Sequence, residues 1–190
     1  MQLILLRHGE SEWNLANKFT GWKDVLLTED GIKEAHFSGK KLLEKNIKID
    51  SIYTSILTRA THTTDIVAEI IGFSKENIQY DWRLNERHYG TLQGLNKSET
   101  AEKYGEDQVH IWRRSYNISP PLLSENDKRH PKFDNKFKDI KEILPAGESL
   151  KDVIQRLNPF WETYLEYITA NIGNHLIVAH SNSLRAIIKT

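Results

Sequence analysis

The chain has no cysteine, no net charge and no long hydrophobic run. Without cysteine there is no disulfide, no Cys-ligated zinc or iron–sulfur centre and no thiol nucleophile. The 26 lysines and arginines balance 26 aspartates and glutamates. That balance argues against a general nucleic-acid binder or a membrane-surface protein, both of which carry a basic excess. The apolar opening Leu3–Leu6 is halted by Arg7 and His8, too short for a signal peptide or an anchor. The expectation is a cytoplasmic protein with no membrane and no nucleic-acid partner. What is present is 190 residues, 38% of them hydrophobic, enough for one globular domain with its own core. No internal repeat and no linker divides it.

Gln2–Leu6 is an apolar segment of strand length that runs into the polar cluster Arg7-His8-Gly9-Glu10-Ser11. Thr28 offers a hydroxyl N-cap, and Glu29 and Asp30 follow in the first turn, where acids favour a helix. Ile32, Ala35, Gly39, Leu42 and Leu43 then recur at a helical period. Ile49–Thr54 reads as a second strand. Ala60, Thr63, Thr64, Val67, Ile70 and Ile71 form another helical stripe, closed by Gly72. Ile78–Trp82 is a candidate short strand, and from Leu84 to Trp112 periodicity weakens.

The polar stretch Ser119–Gly147 is expected to be an insertion or lid loop, because structureless connections of that size are uncommon in compact domains. Ser149 caps a strong helix with Leu150, Val153, Ile154, Leu157, Trp161, Tyr164, Leu165 and Ile168 on one face. Pro159 is expected to bend or split it. His175–Ala179 is a last strand, followed by His180-Ser181-Asn182 and a helical start at Leu184–Ile188. Strands alternating with helices predict a single α/β domain over residues 1–190, a three-layer sandwich with a mostly parallel central sheet flanked by helices.

Two strands end alike, one in Arg7-His8-Gly9 and one in His180-Ser181-Asn182. Ligand sites of open α/β sheets gather at the carboxyl ends of strands, so central, parallel strands would bring His8 and His180 into one pocket. Glycine after His8 lets the backbone turn sharply and approach a ligand. Arg7 and Arg59, the latter just past the second strand, carry guanidinium forks suited to phosphate oxygens. Other constellations are weaker. Eight histidines include no His-Glu-x-x-His pair. Ser55 and Ser181 lack a G-x-S-x-G elbow, and no basic stripe accompanies the five tryptophans.

Leu6-Arg7-His8-Gly9-Glu10-Ser11-Glu12-Trp13-Asn14 resembles the phosphohistidine signature of the phosphoglycerate mutase branch of the histidine phosphatase superfamily. Further matches follow in order: Phe19-Thr20-Gly21-Trp22, Tyr53-Thr54-Ser55 with Arg59, Leu84-Asn85-Glu86-Arg87-His88-Tyr89-Gly90, and Leu92-Gln93-Gly94-Leu95-Asn96-Lys97. Trp112-Arg113-Arg114-Ser115-Tyr116 and Ala179-His180-Ser181-Asn182-Ser183-Leu184-Arg185 complete a series that spans nearly the whole chain. The resemblance implies a mutase-like fold and interconversion of 3- and 2-phosphoglycerate in glycolysis and gluconeogenesis. It implies 2,3-bisphosphoglycerate as priming phosphate donor, and no metal.

His8 would then be the nucleophile of a ping-pong transfer, and Glu86 the general acid/base for the substrate hydroxyl. His180, Arg7 and Arg59 would stabilise charge on the phosphoryl oxygens. Ser11, Asn14, Thr20, Gly21, Arg87, His88, Tyr89, Lys97, Arg113, Arg114, Ser181 and Asn182 match positions that bind phosphate or carboxylate. Cations near His8 are expected to keep its imidazole neutral near pH 7. The implied partners are small-molecule phosphoglycerates, with a homodimer left open. A bisphosphoglycerate synthase or phosphatase and a catalytically weakened phosphoglycerate-binding protein stand as alternatives.

Two features depart from the family pattern. Ser181 replaces the usual glycine after the second histidine, which would cost about 1 kcal/mol or more if that position needs positive φ. Family members also continue beyond the helix begun at Leu184, so the chain is expected to lack their C-terminal segment after Thr190.

Overall fold

The computed structural model describes residues 1–189; Thr190 lies outside them. The elements follow one another as β1 (Gln2–Arg7), α1 (Glu12–Leu15), α2 (Glu29–Glu44), β2 (Ser51–Thr54), α3 (Thr58–Ile71) and β3 (Ile78–Tyr80). Then come α4 (Lys97–Tyr104), α5 (Glu106–Arg114), α6 (Leu150–Ala170), β4 (Asn174–Ala179) and α7 (Ser181–Lys189).

The four strands form one all-parallel sheet in the order β1-β4-β2-β3. Side chains alternate across a strand, and the sequence uses both faces. Ile4, Leu6, Ile52, Leu176 and Val178 pack on one side with Leu42 of α2 and Val67 and Ala68 of α3. Leu5, Tyr53, Ile177 and Ala179 pack on the other with Val153, Leu157, Phe160 and Tyr164 of α6 and Ala186 and Ile187 of α7. The result is the expected three-layer α/β sandwich, with helices covering both faces of a parallel sheet as such sheets require.

Thr28 caps α2 as expected, its hydroxyl accepting from the Gly31 amide, and Gly72 ends α3 in the left-handed conformation at φ 69°. α2 meets α3 at Gly39, where a Cβ would stand 2.9 to 3.1 Å from three Ile70 atoms. Ser149 and Asp152 form a capping box at the head of α6. Pro159 does not split that helix, which runs unbroken for 21 residues. Leu157 and Phe160 are buried on either side of the proline, and their packing offsets the hydrogen bond that proline cannot make.

Two helices, α4 and α5, occupy the latter part of the stretch where periodicity weakens. Residues 119–147 form no helix or strand beyond two short 3₁₀ turns, yet they pack against the rest of the chain. Phe137 is buried against Trp22 and Leu57, the Leu123 amide donates to the Ala146 carbonyl at 2.9 Å, and Lys136 pairs with Asp24. Among the described residues no helix is long and apolar enough to cross a membrane.

Candidate active site

The sheet order makes β1 and β4 neighbours, with Arg7 level with Ala179. The residues just past the two strand ends therefore meet. The His8 amide donates to the Ala179 carbonyl at 3.0 Å, and the His8 and His180 rings lie 4.9 Å apart. Gly9 serves this meeting in a way the sequence did not reveal. A Cβ there would stand 2.2 Å from the Gly31 carbonyl oxygen, and one on Gly31 would stand 2.0 Å from that of Glu10. The glycine pair lets the chain after β1 meet α2 backbone against backbone, so packing by itself requires a glycine at position 9.

His8 is 6% exposed. Its Nδ1 lies 2.6 Å from the Gly9 carbonyl oxygen, which can only accept, so Nδ1 carries the proton and the lone pair of a neutral ring sits on Nε2. Burial, first, and then the Arg59 and Arg7 guanidinium charges hold the His8 pKa well below its usual value. The ring is neutral at pH 7, though burial outweighs the neighbouring cations as the cause. His180 is fully buried, and burial with Arg59 and His8 lowers its pKa likewise. Its Nε2 lies 2.7 Å from Ser55 Oγ, while Nδ1 has no partner.

Arg59, at the start of α3, is buried, yet it remains charged at pH 7 with its pKa lowered to about 10. Its guanidinium donates to the Gly21 carbonyl at 2.8 Å and the Lys23 carbonyl at 3.1 Å. Asp24 beside them caps α3, accepting from the Thr58 amide at 2.7 Å and its hydroxyl at 2.6 Å. One loop thus fixes both the helix and the arginine on it. Glu86 is buried at 9% exposure. Its Oε1 accepts from the Arg87 amide at 2.7 Å and the Asn182 amide at 3.2 Å, which leaves Oε2 for a ligand.

These groups face a cavity of about 250 Å³ lined by Arg7, His8, Asn14, Lys18, Thr20, Gly21, Arg59, Glu86, Tyr89, Lys97, Arg113, Arg114, Ser181 and Asn182. No residue of 119–147 is among them. Burial and the nearby Arg113 and Arg7 charges lower the Lys97 pKa, a sign of how densely cations gather there. Lys18 was not singled out from the sequence. It falls between the matched stretches Leu6–Asn14 and Phe19–Trp22, and its place directly before the second was the available signal.

Four residues singled out from the sequence stand off the cavity wall. His180 lies behind His8. Ser11 is the N-cap of α1, in a capping box with Asn14. Arg87 is buried under the Tyr89 ring and donates to the Arg113 carbonyl at 2.8 Å. His88 is buried beside Trp22, its pKa lowered to about 3 chiefly by burial. Ser181 is corrected in one respect. It opens α7 in ordinary helical conformation, and the only residues other than glycine with positive φ are Asn17 and Asn46 among those described. The serine therefore carries no backbone strain, and the helix begins three residues earlier than its apolar stretch implied.

Residues 3–126 match the model of the histidine phosphatase superfamily, branch 1, and the chain belongs to that superfamily. It is 54% identical over 191 residues to the 2,3-bisphosphoglycerate-dependent phosphoglycerate mutase of Lachnoclostridium phytofermentans, covering 100% of this chain and 76% of the relative. A relative from Lactiplantibacillus plantarum, 2,3-bisphosphoglycerate-dependent phosphoglycerate mutase 2, is 51% identical over 99% of this chain and 82% of its own. Among solved structures, the mycobacterial glucosyl-3-phosphoglycerate phosphatase in complex with VO3 superposes with a TM-score of 0.74. It covers 98% of this chain and 78% of that one at 23% identity, a likeness of fold alone.

Proposed function

We propose that the chain interconverts 3-phosphoglycerate and 2-phosphoglycerate by ping-pong phosphoryl transfer through phospho-His8, primed by 2,3-bisphosphoglycerate. The observation that carries this reading is a neutral, buried histidine and a carboxylate opening on one cavity among six cations: Arg7, Lys18, Arg59, Lys97, Arg113 and Arg114. A small ligand with two phosphates and a carboxylate fits that charge, and the names of the relatives above agree. The bisphosphate, when bound, supplies the phosphoryl group.

His8 Nε2 attacks phosphorus as the bond to the leaving glycerate oxygen breaks, and Glu86 Oε2 gives that oxygen a proton. In the return step Glu86 takes the proton of the other hydroxyl, whose oxygen attacks phosphorus while the bond to Nε2 breaks. In the tautomer proposed here, Ser55 accepts from the Leu57 amide at 3.3 Å and turns its hydroxyl hydrogen to His180 Nε2 at 2.7 Å. The His180 proton then sits on Nδ1, buried off the cavity wall, and the part proposed for this ring is to back His8 at 4.9 Å. Arg7 and Arg59 balance the charge of the transferring group, which is most of what phosphoryl transfer asks of a protein.

The test is incubation with labelled 2,3-bisphosphoglycerate, isolation of acid-labile phosphohistidine, then addition of 3-phosphoglycerate. Label is expected on His8 and afterwards in 2-phosphoglycerate, with none taken up by His8→Ala. A normally labelled His8→Ala protein would sink the mechanism. Label released to water faster than to glycerate phosphate would make the chain a phosphatase instead.

A further inference from the structure

Glu148 and Arg156 were not singled out from the sequence, and neither lines the cavity. Yet they form the most buried ion pair described, with side chains 4% and 7% exposed and Arg156 Nε 2.6 Å from Glu148 Oε1. A buried pair of this kind adds little stability over well-packed apolar residues, so its contacts are where its role is to be read. Arg156 Nη1 donates to the Arg83 carbonyl at 2.6 Å. Its Nη2 donates to the carbonyls of Asn85 at 3.2 Å and Glu86 at 3.3 Å, and to Glu148 Oε2 at 3.1 Å. Glu148 Oε2 also accepts from the His88 amide at 2.8 Å, and the Glu148 amide donates to the His88 carbonyl at 2.9 Å.

The segment from Arg83 to His88 is thereby strapped to the head of α6 at five backbone groups, and Glu86 sits in the middle of the strap. The Glu86 carbonyl is gripped a second time, by Trp22 Nε1 at 2.6 Å, and the Trp22 ring lies under the Arg156 guanidinium at 5.5 Å. Only a planar fork serves three carbonyls and a carboxylate at once; a lysine ammonium does not.

We infer that Arg156, held by Glu148, is a positioning residue for Glu86, fixing the backbone from which the proton-transferring carboxylate reaches the substrate hydroxyl. This rests on the role proposed above for Glu86. A misplacement of about 1 Å in a proton-transfer group is enough to cost roughly a hundredfold in rate, while ligand binding depends on cavity cations that Arg156 does not touch.

The experiment is single-turnover transfer of label from 2,3-bisphosphoglycerate to His8, run on wild type, Arg156→Lys, Glu86→Gln and the double variant. Arg156→Lys is expected to slow the saturating rate about 10- to 100-fold, with the half-saturating concentration moved less than about threefold. The double variant is expected to be no slower than Glu86→Gln within about twofold, because residues acting as one unit are non-additive. A purely structural role would multiply the two effects, and that outcome, or an Arg156→Lys protein at wild-type rate, overturns the inference. Should Arg156→Lys not fold, Glu148→Gln gives the same comparison, since it keeps an oxygen for the His88 amide and loses only the charge. Slowing by Glu86→Gln without slowing by Arg156→Lys would remove this inference alone. A wild-type protein that takes no label would remove the proposed function, and this inference with it.

Discussion

His8, His88 and His180 are all buried with pKa values below the ordinary histidine value, His88 at about 3. Neutral imidazole is what the chemistry proposed for His8 needs, and it has a cost elsewhere. Above about pH 6.5 neither the folded nor the unfolded state binds these protons, so stability is flat with pH. Below it the unfolded chain takes them up and the folded chain does not, so each buried histidine destabilises by up to about 1.4 kcal/mol per pH unit. Guanidinium unfolding between pH 7.5 and 5 is expected to show a falling free energy. His88→Gln should flatten that fall by about one histidine's slope. Stability that rises on acidification would contradict this burial. At Ser181, in ordinary helical conformation at the head of α7, Ser181→Gly relieves no strain. It is expected to lower stability by about 0.5 kcal/mol or less, and a thermal melt showing stabilisation would count against it.

Among the elements, the α2–α3 contact offers a graded test. Gly39→Ala places a methyl against Ile70 and is expected to cost about 1–3 kcal/mol while leaving phosphoryl transfer intact, as measured by denaturation alongside labelling. Gly31→Ala drives a methyl into the Glu10 backbone beside His8 and should impair both. A Gly31→Ala protein with wild-type labelling would show that this backbone approach does not set the position of His8. The same elements show what sequence can carry. Periodic apolar stripes, the Thr28 and Ser149 caps and the Gly72 terminator placed α2, α3 and α6, because those signals are local. Strand ends in Arg7-His8 and Ala179-His180 were enough to foresee two histidines side by side. The polar α4 and α5 escaped, their helical character being carried by caps such as Asn96 and by tertiary contact. So did Arg156 and Glu148, because a long-range arginine bonded to backbone carbonyls leaves no pattern in its own neighbourhood.

At the scale of the whole molecule, zero net charge conceals a segregation in which six cations converge on one small cavity. Anionic substrate should feel that local field at distances within a Debye length, about 10 Å at 0.1 M salt. The Michaelis constant for 3-phosphoglycerate is therefore expected to rise several-fold between low salt and about 0.3 M, with a smaller change in turnover. A salt-independent value would mean that the cations are spent on internal contacts.

The strand order β1-β4-β2-β3 has a consequence for the birth of the protein. Among the described residues β1 pairs with β4 alone, so β1 has no neighbour in the sheet until β4 has left the ribosome. At roughly 5–20 residues per second, the nascent chain carries an unpaired, apolar leading segment for on the order of ten seconds or more. During that interval the histidine at its tip has no counterpart, and the anion-binding hollow does not yet exist. A ligand of that cavity therefore meets only the finished sheet, and until then the waiting strand keeps its edge open to other chains.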